Sequence, residues 1–241
     1  MATEYSVRTR QSAPTRSTVA LKAAMAVTGL IMVLFLLVHM YGNLKLFYGQ
    51  AAFDDYAHHL RTVGEPFLPY AGALWIIRVV LVASVLIHIG AAVALWARSR
   101  RATGGRGGWR YESRRARRGV QRSYSSFTMR WGGVTIVLFV VYHLLHLTTD
   151  TIHPGGVSSS PYVRTVNGFG VWWVVLSYTA ALIAIGFHLR HGFWAAFATL
   201  GANTSLRRRR HLNAWAVAVA LVITIGFLVP PYVVLFGGIE A

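Results

Sequence analysis

Long apolar stretches separated by polar connections make up most of this chain. A helix that crosses a membrane needs about 20 mainly apolar residues, and five stretches reach that length without Asp or Glu. They cover approximately residues 20–41, 70–97, 127–149, 171–200 and 212–236. The polar lead before the first stretch is too long for a secretory signal peptide, and no small-residue cleavage site follows. The pattern therefore predicts an all-α bundle of five transmembrane helices.

Composition agrees with this class. Of the 241 residues, 55% are hydrophobic and 13% are charged, which leaves too little polar surface for a soluble domain of that size. We predict a single membrane-anchor domain over residues 1–241. Since the chain has no cysteine, it forms no disulfide, zinc–thiolate site or cysteine-ligated iron–sulfur cluster, and any such centre belongs to a partner.

The formal charge of +17 is concentrated in alternate connections. Four Lys or Arg lie before or at the start of the first stretch (Arg8, Arg10, Arg16 and Lys22), eleven lie from Arg98 to Arg130, and a run covers Arg207–Arg210. The positive-inside rule then predicts a cytoplasmic N-terminal segment (1–19), a basic cytoplasmic loop (98–126) and a C-terminus outside. This distribution argues against nucleic-acid binding and favours anionic lipid headgroups or an acidic partner protein.

Six of the ten histidines fall inside the predicted spans. They are His39, His88, His143, His146, His188 and His191. Imidazole is costly in hydrocarbon unless it is hydrogen-bonded or ligates a metal. A single such histidine is usually explained by an interhelical hydrogen bond, but four successive helices that each carry one favour a cofactor site.

Depth sorts four of these histidines into two layers. With a rise of about 1.5 Å per residue, His39 and His143 fall in the outer half of their spans, and His88 and His188 in the inner half. A six-coordinate haem needs two axial histidines from opposite sides of the porphyrin. We therefore predict an outer haem iron ligated by His39 and His143 and an inner one ligated by His88 and His188.

A short repeat supports this assignment. Gly29 and Gly133 each precede a histidine, His39 or His143, with nine residues between them and VLF at the same offset. The glycine either leaves room for a flat macrocycle or serves ordinary close helix packing. The repeat favours His143 over His146 as the ligand. Zinc or copper is the competing metal, but such sites usually gather three or four ligands at one level, and here each level holds two histidines. Ion-coupled transporters normally place carboxylates within their spans, so the absence of Asp and Glu from these stretches argues against one.

Four segments resemble the five-helix, two-haem cytochrome b subunit of succinate:quinone and quinol:fumarate oxidoreductases. They are LFLLVHMYGN around His39, VLIHIG around His88, RWGGVTIVLFVVYH ending at His143, and GFHLRHGFW containing His188. In that family the first and third spans ligate the distal haem, and the second and fourth spans ligate the proximal haem. The resemblance leaves His191 without a ligand role.

The resemblance implies a multi-pass subunit of a bacterial cytoplasmic membrane, working in the respiratory chain and the tricarboxylic acid cycle. Succinate dehydrogenase chemistry is then carried by a flavoprotein subunit with covalent FAD, and an iron–sulfur subunit passes the electrons on. Both partners lie on the cytoplasmic side. Two b haems in this chain lead to quinone, commonly menaquinone, and assembly of the complex into a higher oligomer is left open.

Further residues are candidates for contacts with these cofactors. Arg78 is a candidate for the outer haem propionates and Arg190 for the inner ones, with snorkelling as the alternative. His59, Arg61 and His146 are candidates for the quinone. Two other functions stay open: the cytochrome b anchor of a hydrogenase or formate dehydrogenase, and a haem-free scaffold or transporter whose histidines only bridge helices.

Overall fold

A computed structural model describes residues 17–102 and 120–240. Within these ranges the chain is helical and has no strand. The helices are α1 (Thr18–Leu44), α2 (Gly49–Thr62), α3 (Gly72–Ala102), α4 (Val120–His143), α5 (Pro161–Phe169), α6 (Trp172–Thr199) and α7 (Leu206–Leu235). A 3₁₀ turn (Lys45–Tyr48) joins α1 to α2, and a π turn (Leu144–Thr148) follows α4. Most of the predicted N-terminal segment and basic loop lies outside the described residues.

The prediction of five membrane-length helices is confirmed. Within the described ranges, five helical segments, those containing α1, α3, α4, α6 and α7, are long and apolar enough to cross a membrane. The last helix starts earlier than predicted, because the Ser205 side chain caps it by accepting a hydrogen bond from the Arg208 amide at 3.2 Å. The arginine run therefore belongs to the first turns of α7 and not to a loop.

Two short helices occupy connections for which the sequence predicted no helix. Helices α2 and α5 lie on the same side of the bundle and pack on each other. Asp54 on α2 accepts hydrogen bonds from the Ser160 hydroxyl at 2.6 Å and the Tyr162 amide at 3.0 Å. Because these groups form the N-terminus of α5, the carboxylate both caps that helix and fastens it to α2.

Helix α6 is the centre of the bundle and packs against α1, α4, α5 and α7. Its buried residues form two apolar clusters, one with α5 around Val174 and Val175 and one with α7 around Leu182 and Ile223. Glycines allow close approach of the outer helices, as at Gly226 on α7, where a Cβ would overlap the Met40 side chain of α1. Such contacts are typical of helices packed in a membrane.

The arginine-bearing end of α3 lies beside the start of α1 at one face of the bundle. Arg98, near the end of α3, donates a hydrogen bond to the Thr18 hydroxyl at the start of α1, at 3.1 Å. Since α1 and α3 pack side by side, this contact shows that the two helices are antiparallel. We call this end the basic face. The positive-inside rule predicts that it is cytoplasmic.

Candidate haem-ligating histidine pairs

The four histidines of the two predicted layers meet in two pairs. The ring centroids of His39 on α1 and His143 at the end of α4 are 5.8 Å apart. Those of His88 on α3 and His188 on α6 are 6.3 Å apart. We call these the outer pair and the inner pair. The structure thus brings together the side chains that helix depth had paired, and their role as iron ligands stays a prediction.

The helices that carry each pair are not close neighbours. In the described part of the chain, extensive backbone packing joins α1 to α3, α1 to α6 and α4 to α6, but does not join α1 to α4 or α3 to α6. Each pair therefore reaches across a wider separation. Since imidazole nitrogens bind first-row metals at about 2 Å, two axial rings on one metal have centroids about 6 Å apart. Both pairs match that separation.

The inner-pair histidine on α3 has a defined tautomer. His88 Nδ1 lies 3.0 Å from the Met25 carbonyl oxygen and 3.3 Å from the Thr28 hydroxyl. A carbonyl oxygen only accepts hydrogen bonds, so a neutral His88 carries its proton on Nδ1. Its Nε2 then presents a lone pair, which is the usual arrangement of an imidazole that ligates a metal.

The other histidine of the inner pair, His188, lacks such a partner. Its Nδ1 is buried and makes no hydrogen bond in the described structure. A buried polar nitrogen without a partner costs free energy. This cost would be offset if Nδ1 itself bound a metal, whereas ligation through Nε2 would leave the Nδ1–H group without an acceptor. Unlike the His88 ring, the His188 ring is therefore not oriented by a hydrogen bond at Nδ1.

The two glycines of the sequence repeat lie against the inner pair. A Cβ at Gly29 would lie 3.4 Å from His88 Cε1, and a Cβ at Gly133 would lie 4.0 Å from His188 Cε1. Each glycine thus admits an imidazole from the adjacent helix, α3 or α6. Because His39 and His143 each follow their glycine by ten residues, the two pairs are about 15 Å apart along the helices. In both helix pairs, α1–α3 and α4–α6, the glycine of the repeat therefore lies level with the inner pair and its histidine lies level with the outer pair.

Aromatic rings surround the outer pair. The His39 ring stacks on Phe35 of its own helix, with centroids 5.2 Å apart, and packs against Phe227 of α7. The His143 ring packs against Phe139, one turn earlier on α4, at 5.8 Å. These contacts restrict the ring orientations without using the imidazole nitrogens.

A tyrosine missing from the sequence prediction holds His143. The Tyr178 hydroxyl lies 3.2 Å from His143 Nδ1 and 3.0 Å from His146 Nδ1. His146 is only 1% exposed, and it lies in the π turn after α4. Its ring stacks with Tyr142 and fits against Gly168 of α5, where a Cβ would overlap Nε2. His146 is thus a buried, hydrogen-bonded neighbour of the outer pair, and its quinone contact stays a prediction.

The predicted propionate partners lie at the right depths but on the surface. Arg78 precedes His88 by ten residues, about 15 Å of helix, and is therefore level with the outer pair. It is exposed, with its guanidinium 4.9 Å from the Trp75 ring centroid. Arg190 is also exposed, two residues after His188. Their roles toward propionates remain predictions.

The predicted quinone residues are not gathered in one place. His59 is exposed on α2, and Arg61 bonds to the Ala57 carbonyl oxygen of the same helix. His146 is buried among α4, α5 and α6. The structure therefore does not bring the three side chains into a common site, and their quinone role stays a prediction.

The donor set restricts the kind of metal that fits. Among the described residues, no group of three or more His, Cys, Asp or Glu side chains is placed to hold a metal ion. Two imidazoles complete the coordination of an iron that already has four porphyrin nitrogens, whereas zinc needs more protein ligands.

No family model matches the chain, and no curated protein or solved structure is significantly similar to it.

Proposed function

We propose that this chain is the dihaem cytochrome b subunit of a succinate:quinone oxidoreductase in a bacterial cytoplasmic membrane. It anchors the complex and passes electrons from an iron–sulfur partner subunit to quinone, with menaquinone as the expected acceptor. Dicarboxylate chemistry belongs to a flavoprotein partner. The observation that carries the proposal is the presence of two imidazole pairs at two depths, each with ring centroids about 6 Å apart.

The residues of both pairs fit a b-type haem. The inner pair offers His88 with a free Nε2 lone pair, opposite the His188 ring at a centroid distance of 6.3 Å. The outer pair offers His39 and His143, and the latter is hydrogen-bonded through Nδ1. When bound between two imidazoles, a haem supplies one-electron redox chemistry in a site that excludes water. The protein supports it by orienting the rings and by fixing the tautomer of the ligands.

The position of the inner pair supports electron delivery from the basic face. His88 precedes Arg98 by ten residues, about 15 Å of helix, and Arg98 lies at that face. Helix α7 runs parallel to α1, because Gly226 lies against Met40 at a similar distance from each helix start, and its first turns add four consecutive arginines to this face. A positively charged face suits an acidic docking surface on a partner subunit. Electrons would then pass from the inner pair to the outer pair, about 15 Å further along the helices.

A reduced-minus-oxidised spectrum of the purified full chain tests the haem content. We expect the absorption of b-type haem, and a chemical assay should find two haems per chain. A featureless difference spectrum would contradict the proposal and favour a scaffold or transporter in which the histidines bridge helices.

The partner subunits are tested separately from the haems. Gentle solubilisation of native membranes should recover the chain with a flavoprotein and a cysteine-rich iron–sulfur protein, and succinate should reduce its haems. Recovery with a hydrogenase or formate dehydrogenase subunit would preserve the cytochrome assignment and overturn the succinate assignment.

A further inference from the structure

A buried chain of three polar side chains leads away from the outer pair. It runs from His143 through the Tyr178 hydroxyl to His146. Tyr178 is 5% exposed and His146 is 1% exposed, so water does not compete freely for these groups. Phe139 and Phe169 pack edge-on against the Tyr178 ring, with centroids 4.9 and 5.1 Å away. The hydroxyl is therefore held in place between the two imidazoles.

Two hydrogen-bond arrangements are possible among His143, Tyr178 and His146 when the phenol proton is donated to one of the two imidazoles. A phenol has one proton, so Tyr178 can donate to one of the two Nδ1 atoms and must accept from the other. If it donates to His143, the neutral His143 carries its proton on Nε2 and has no lone pair there for a metal. If it donates to His146, His143 is protonated on Nδ1 and its Nε2 is free.

We propose that Tyr178 and His146 are positioning residues that hold His143 in the tautomer able to ligate the outer haem iron and that strengthen it as a ligand. This inference rests on the proposed function. In this arrangement His143 donates to the Tyr178 oxygen, and Tyr178 donates to His146 Nδ1. His146 then carries its own proton on Nε2, beside Gly168.

The hydrogen bonds among His143, Tyr178 and His146 would also affect the reduction potential of the outer haem. A hydrogen bond from Nδ1 increases the donor strength of an axial imidazole, which favours the oxidised iron. Because His146 accepts the Tyr178 proton, it polarises the hydroxyl and makes its oxygen a better acceptor for His143. Loss of Tyr178 should therefore raise the outer haem potential most, and loss of His146 should raise it less.

The local fold is built for this contact. His143 ends α4, and the π turn that follows places His146 so that both Nδ1 atoms reach one hydroxyl. Turns of this kind are uncommon and often occur at functional sites. Gly168 on α5 provides the space for the His146 ring, since a Cβ there would overlap it.

Redox titration of the two haems in the full chain tests the proposal. In Tyr178→Phe, we expect the ratio of reduced to oxidised outer haem at a fixed potential to rise by up to about tenfold, or about 59 mV for one electron. The inner haem should be unchanged. His146→Leu should give a smaller rise, and His146→Gln, which retains an acceptor for the hydroxyl, should restore the ratio of the unmodified protein.

Tyr142→Phe is the matched control, because it removes a neighbouring hydroxyl whose ring packs on both Tyr178 and His146. An unchanged outer potential in Tyr178→Phe, or an equal shift in Tyr142→Phe, would overturn the inference while leaving two normal haems. If Tyr178→Phe does not fold, equal potentials in the two His146 variants would overturn it. Absence of both haems from the unmodified protein would instead overturn the proposed function, and this inference with it.

Discussion

The inner and outer histidine pairs are positioned by different parts of the chain. At the inner pair, His88 bonds to the main-chain carbonyl of Met25, and the rings lie beside Gly29 and Gly133. At the outer pair, His143 bonds to the side chain of Tyr178. His39 is oriented by stacking on Phe35 and by Phe227.

The orientation of the imidazole rings is therefore maintained in two different ways. A main-chain carbonyl and a glycine depend on how closely the helix backbones approach, so the inner pair is sensitive to packing and insensitive to most side-chain changes. The outer pair depends on a buried polar network, in which each member can be removed separately. The inner pair should therefore fail when helices are pushed apart, and the outer pair should respond to the loss of single hydroxyl or imidazole groups.

Removal of an inner ligand should have the largest effect. His188→Leu removes one of the two imidazoles of the inner pair. Because a six-coordinate haem needs both imidazoles, we expect loss of the inner haem and about half the haem per chain. Haem quantitation and the difference spectrum measure this. His191→Leu, an exposed histidine on the same helix, is the control and should retain both haems. Loss of both haems in His188→Leu would show that the two sites are not independent.

A bulky residue at the α1–α3 contact should disturb the inner pair next most strongly. In Gly29→Leu the new side chain would compete for the space of the His88 ring, and overpacking of this kind costs about 1–3 kcal/mol. We expect reduced inner haem and normal outer haem, measured by redox-resolved spectra.

Gly90→Leu is the control for that experiment, since a Cβ at Gly90 meets nothing within 4 Å. It adds the same apolar volume to the helix that carries His88. Equal haem loss in Gly29→Leu and Gly90→Leu would mean that general destabilisation of the bundle, and not the Gly29–His88 contact, is responsible.

Loss of the Thr28 hydroxyl should have the smallest effect. Thr28→Val removes the weaker of two contacts to His88 Nδ1 and retains the Met25 carbonyl. We expect full haem content, an inner haem potential close to that of the unmodified protein, and an unfolding free energy lower by about 1 kcal/mol. A shift of the inner potential as large as that of the outer haem in Tyr178→Phe would remove the contrast between the two pairs.

The sequence was sufficient for the coarse architecture and for the pairing of the histidines. Apolar length predicts membrane helices because hydrocarbon thickness sets a minimum number of residues, and helix rise converts residue number into depth. These two regularities placed His39 with His143 and His88 with His188. The Gly29 and Gly133 repeat was also visible, although its contact with the inner rings was not.

Tertiary structure alone decided which groups hold the rings. Tyr178 is ten residues before His188 in the chain, yet it serves His143, because α4 and α6 pack side by side. The separation of His146 from the predicted quinone residues follows in the same way from the π turn and from helix α5. Sequence fixes depth along a helix, but which neighbour a side chain meets depends on helix rotation and packing, and these arise from contacts between residues distant in the chain.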